Sequence, residues 1–105
     1  MAKLAGTTFS EIARLLGDRY QIKIGNNTTA ENDNGDIVVR LHGHKIVTLT
    51  AEGDIAFTLA GYPTVTTKER VNQFLPAGRR VFHKNNRLFF DDREISSNDE
   101  IWILA

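Results

Sequence analysis

Residues 34–50, NGDIVVRLHGHKIVTLT, decide the fold class. Asn34-Gly35 is a strong two-residue hairpin signal, because both turn positions must accept positive φ. After it, Ile37, Val39 and Leu41 share one face of an extended segment. From His44 to Thr50 the pattern continues, with Val47 and Leu49 on one side and Thr48 and Thr50 on the other. Ala51-Glu52-Gly53-Asp54 reads as a further turn. Ile55, Phe57 and Leu59 then alternate with Ala56, Thr58 and Ala60 as a third half-buried strand. Short strands joined by tight turns imply an antiparallel meander with one covered face.

Helices flank this meander. Thr8 followed by Glu11 matches a capping box, and Phe9, Ile12, Ala13 and Leu16 recur at helical spacing before Gly17. The segment SEIARLLG resembles a helix of helix-turn-helix proteins. However, the next segment, Tyr20 to Ile24, alternates like a strand and offers no recognition helix. A second helix is expected where Thr66 and Glu69 repeat the capping spacing and Val71, Phe74 and Leu75 form an apolar stripe, stopped by Pro76 and Gly78. Strands are expected again over 79–85, 87–92 and 101–104. The fold expected is α+β: one domain over 1–105, with two helices packed on an antiparallel sheet of about six strands.

Composition narrows the function classes. No apolar run reaches the roughly 20 residues that span a bilayer. The start MAKLAGTTF has neither the length nor the pattern of an export signal, so a cytoplasmic protein is expected, and the glycosylation-type triplets of Asn26-Asn27-Thr28-Thr29 carry little weight. Cysteine is absent, which removes disulfides, thiolate metal sites and cysteine nucleophiles. Thirteen basic and thirteen acidic residues balance, whereas a general nucleic-acid binder is basic. The charge is nevertheless polarised. Arg70, Arg79, Arg80, Lys84 and Arg87 lie in a stretch without acids, while Asp91, Asp92, Glu94, Asp99 and Glu100 follow it.

Several segments carry a family likeness. IARLLG, KIGNNT, DIVVRLHGHKIVTLTAEGDI and GYPTVTTKERVNQFLPAG resemble, in order and spacing, a family of small bacteriophage-encoded proteins. The most specific piece is TVTTKERVNQFLP, of the form TVTTK-[DE]-R-[IV]-N-x-FLP. Tyr62-Pro63 departs from the family's usual Trp-Arg, and the stretch after Asn85 lies in a variable part. The resemblance implies a phage origin and carries no mechanism.

Chemistry-bearing constellations are sparse. His42 and His44 at i and i+2 would share a strand face and are weak metal candidates, but a catalytic zinc needs a third protein ligand. Ser10, Ser96 and Ser97 sit in cap or turn contexts, and no phosphate-cradling glycine loop is present. Asp91 and Asp92, adjacent on a strand, would point apart, leaving solvation or pairing with arginine. Thr64 to Arg70 offers a helix start with Lys68 and Arg70 as possible phosphate contacts, set against simple capping. No enzyme and no cofactor are expected.

RRVFHKNNRLFF, residues 79–90, is the suggestive surface. Folded as a hairpin about Asn85-Asn86, with Arg80 facing Asp91 beyond its end, it places Arg80, Phe82, Lys84, Arg87, Phe89 and Asp91 on one face. Val81, Leu88 and Phe90 then fall on the other, with His83. The first face suits a protein partner, where aromatics and Arg are the usual anchors. It also suits single-stranded nucleic acid, which stacks on aromatics, or it is a structural cross-strand pair. The expected function is non-enzymatic binding of a host or phage protein, with nucleic acid as the alternative and a homodimer as a further possibility.

Overall fold

The computed structural model describes residues 8–105; the start of the chain, 1–7, where the export signal was sought, lies outside the described residues. Helix α1 spans Phe9–Leu16, and its capping box forms: Thr8 accepts from the Glu11 amide, and the Glu11 carboxylate accepts from the Thr8 amide. Five strands follow, β1 (Gln21–Gly25), β2 (Thr28–Asp33), β3 (Asp36–Leu41), β4 (His44–Leu49) and β5 (Ile55–Phe57). After helix α2 (Val65–Asn72) come β6 (Val81–Lys84), β7 (Arg87–Phe90), β8 (Arg93–Glu94) and β9 (Ile101–Ile103).

The expected α+β class holds, with the strands divided between two sheets. Strands β1 to β5 form a meander in chain order, and β9 returns to pair antiparallel with β5 as a sixth strand. Strands β6 to β8 form a separate three-stranded sheet. Asn34 and Gly35 both take positive φ, as their hairpin requires. A register shift in β4 lets Ile46 and Val47 both bury against the core, each below 3% exposed. Ile12 and Leu16 of α1, Val71 of α2, and Val81, Leu88 and Phe90 of the small sheet join the apolar residues of β1 to β5 and β9 in one core. Phe57 of β5 meets Phe90 of β7 edge-on at 5.0 Å between centroids, tying the two sheets together.

Helix α2 differs from the expectation at both ends. Its cap is Thr64, whose hydroxyl accepts from the Thr67 amide at 3.1 Å, so Glu69 lies beyond the first turn. It ends at Asn72, and Phe74 and Leu75 bury from the turn that follows. Asn72 has a second task. Its Oδ1 accepts from the Val81 amide at 2.7 Å and its Nδ2 donates to the Val81 carbonyl at 3.0 Å. One side-chain amide thus takes the place of a neighbouring strand along the outer edge of β6. Gly61, at φ 80°, donates to Ser97 O, and a Cβ there would be strained by the backbone and would push aside the Asn98 side chain, whose Oδ1 lies 2.9 Å away.

Candidate functional site: the aromatic and charged face of the small sheet

The hairpin forms in the expected register, with Val81 opposite Phe90, Phe82 opposite Phe89, His83 opposite Leu88 and Lys84 opposite Arg87. Asn85 and Asn86, at φ 54° and 63°, supply the two left-handed turn positions, a geometry Asn tolerates better than other side chains. The period of two then divides the side chains. Val81, Leu88 and Phe90 are buried in the core, whereas Phe82 and Phe89 are half-buried on the opposite face. Helix α2 reaches the hairpin through Val81 and His83, on the core side and edge.

Phe82 and Phe89 stack nearly parallel, 5.7 Å between centroids and 19° between planes. The Arg80 guanidinium lies 4.7 Å from the Phe82 centroid, where the negative face of the ring attracts it. Lys84 and Arg87 are exposed at the hairpin tip. With Asn85 and Phe89 they line an open cleft of about 470 Å³. On the far side of Phe89 the short strand β8 places Glu94 directly opposite, and Arg87 reaches it at 3.7 Å. Because both partners of that ion pair are largely exposed, it contributes well under 1 kcal/mol.

The acid pair Asp91-Asp92 was expected within a strand and instead forms the two-residue turn between β7 and β8, with Asp91 at φ 55°. Asp91 accepts from Arg79 Nε at 2.6 Å and from the Arg80 amide at 3.1 Å. Burial pulls its pKa upward, but these two hydrogen bonds and the Arg79 charge outweigh that effect and hold it below the ordinary 3.8. A carboxylate with a depressed folded pKa contributes stability above its unfolded pKa, and that stability is lost as pH falls through the folded value. Asp91→Asn is therefore expected to lose less stability than wild type between pH 7 and pH 3 in urea titrations. Equal losses would show that this contact does not couple folding to protons.

Other site candidates lie elsewhere. Lys68 Nζ donates to His83 Nδ1 at 2.6 Å, beside the hairpin edge rather than on its aromatic face. Arg70 Nε donates to Thr28 Oγ1 at 2.9 Å, bridging α2 to β2. Each side chain is thus hydrogen-bonded to a neighbouring element, Lys68 to β6 and Arg70 to β2. His42 and His44 do not share a strand face. His42, at φ 51°, and Gly43 form the turn between β3 and β4, while His44 begins β4 and packs on Tyr62 at 4.9 Å. Among the described residues no group of three His, Cys, Asp or Glu side chains is gathered for a metal ion. None of the described helices is long and apolar enough to cross a membrane.

A protein-family model described as Kyanoviridae Gp96 protein matches residues 7–103. The chain belongs to the Kyanoviridae Gp96 family. That makes it a phage protein, in line with the origin implied by the resemblance, although the match does not single out the TVTTKERVNQFLP segment. No curated protein and no solved structure matches the chain.

In this Gp96 family member the sequence reading missed two residues that shape the face. Glu94 supplies its acidic border, and Asn72 fixes the sheet that carries it. Asn72 is the fixed Asn of the TVTTK-[DE]-R-[IV]-N-x-FLP segment, but its partner lies nine residues away, so the segment marks the residue and only the tertiary fold reveals its task; Glu94 sits on a two-residue strand and in no motif.

Proposed function

We propose that this phage protein acts by binding rather than by catalysis, docking a host or phage protein through the Phe82–Phe89 face in the host cytoplasm. The observation that carries this reading is a half-buried, stacked aromatic pair with both signs of charge at its border. Arg80, Lys84 and Arg87 flank the rings on the hairpin, and Glu94 flanks Phe89 on β8. Protein interfaces favour an aromatic and Arg-rich centre within a polar rim. A polynucleotide needs cations continuous along a phosphate track, and Glu94 interrupts that track within one strand of the rings.

The test is capture from nuclease-treated host lysate with wild type and with the Phe82→Ala/Phe89→Ala variant, after circular dichroism has shown that the variant folds. A protein retained by wild type and weakened roughly 30-fold or more by the variant is the expected outcome. Capture that nuclease abolishes, with oligonucleotide binding that falls steeply with salt, would assign the face to single-stranded nucleic acid. A dimeric mass that the variant makes monomeric would assign it to a second copy.

A further inference from the structure

The hairpin tip contains a charge arrangement that folding alone does not favour. Lys84 and Arg87 are directly opposite across the β6–β7 ladder, and a pair so placed has Cβ atoms about 4.5–5.5 Å apart. Like charges in that position destabilise a sheet. Arg80 adds a third cation on the same face, two positions from Phe82 and with its charge over that ring. Among the described residues the one carboxylate in side-chain contact with these three is Glu94, through an exposed contact to Arg87. Arg79, the remaining cation of the hairpin, is engaged by Asp91 and lies over Phe90 at 4.8 Å. The face thus holds three cations, spread over the five residues from Arg80 to Lys84 and the facing strand around an aromatic floor, with Glu94 beside Phe89 and Asp91 at the Arg80 end.

Resting on the docking reading above, we infer that the partner presents a short acidic segment. Its carboxylates meet Lys84 and Arg87 over the tip cleft, and an apolar or aromatic side chain beside them lies on Phe82 and Phe89. Carboxylates relieve the Lys84–Arg87 repulsion, and Arg87 can donate bidentately to one of them in place of its long contact to Glu94. The compactness of the cationic cluster selects the class of partner. The four residue steps from Arg80 to Lys84 span about 13 Å, room for a few acidic side chains and for no more than a short stretch of a phosphate chain. Glu94 and Asp91 close the other end of the face to further anions.

The inference has two readouts. In the first, Lys84→Gln removes the repulsion and raises the Tm of the free protein by roughly 1–4 °C; a lower Tm would show that the pair is not repulsive and would overturn the argument. In the second, a blocked peptide of sequence EEWEE and a single-stranded decathymidylate are titrated separately into the isotope-labelled protein. The peptide is expected to shift the amide signals of Lys84, Arg87 and Phe89. Its affinity should weaken as sodium chloride rises, and should fall at least about tenfold in the Lys84→Gln/Arg87→Gln variant. No shift at those residues, or tighter binding of the oligonucleotide, overturns the acidic-segment assignment. A partner whose capture needs Phe82 and Phe89 but tolerates Lys84→Gln/Arg87→Gln would sink this inference and leave the docking reading standing.

Discussion

A Phe57→Ala protein is expected to be about 3–5 kcal/mol less stable than wild type, a large part of the 5–15 kcal/mol that holds a typical domain together. Phe57 is 1% exposed and sits on β5, between β4 on one side and β9 on the other. The cavity left by its ring would be lined from both sheets, because its edge-on partner is Phe90 of β7. Neither sheet can move in to fill it without shifting hydrogen-bonded neighbours, so little relaxation is available. Urea unfolding at neutral pH measures the loss. A decrease below about 1.5 kcal/mol would mean that the sheets close over the gap, and that their packing is far softer than the burial of this core implies. Phe57→Ala combined with Phe90→Ala should cost less than the sum, by the 0.5–1.5 kcal/mol that such ring pairs carry beyond their buried area.

Asn72→Ala ranks second, at roughly 2–3 kcal/mol. It removes two hydrogen bonds at once, to the amide and to the carbonyl of Val81, whose side chain is 2% exposed. Unsatisfied backbone groups near a buried residue each cost about 1–3 kcal/mol, and the half-buried setting of Asn72 lets water recover part of that. The loss has a specific location. Amide exchange at Val81 and its neighbours in β6 should accelerate more than exchange in β3 and β4, because the edge of the small sheet loses its cover while the meander keeps its partners. Uniform acceleration throughout the chain would show that the small sheet and the meander open as one unit, and that Asn72 is no more than one contact among many.

Much of the local structure was legible in the chain, for a physical reason in each case. The faces of the 79–90 hairpin follow from the period of two once Asn85-Asn86 fixes the turn, and the register came out residue for residue. The α1 cap was readable because Thr8 and Glu11 satisfy each other over a fixed spacing. Strand β2 was not readable, since Thr-Thr-Ala-Glu-Asn-Asp has little apolar alternation and is held by neighbours on both sides. Two capping threonines compete at α2, and Thr64 prevails because its hydroxyl reaches the Thr67 amide. His42-Gly43 behaves as Asn34-Gly35 does, with both residues in positive φ, which the strand reading of the histidines overlooked. The closing of the six-stranded sheet depends on the β5–β9 pairing, far apart in sequence, which no local pattern encodes; Glu94 instead reaches the candidate site through the two-residue turn at Asp91-Asp92, where Asp91 takes a positive φ that the strand reading of 87–92 overlooked.

The return of β9 to β5 also shapes how the protein is made. The pairings among β1 to β5 join only sequence neighbours, so these strands can assemble as hairpins while synthesis is still under way. The partner of Ile55 and Phe57, by contrast, arrives only after α2 and the whole small sheet have been translated. Until then the hydrophobic edge of β5 offers its open amides and carbonyls to any extended chain nearby, which is the geometry that seeds aggregation. Where several ribosomes share one message, nascent chains in the interval between Phe57 and Ile101 lie close together with this edge uncovered, and host chaperones would find their substrate there.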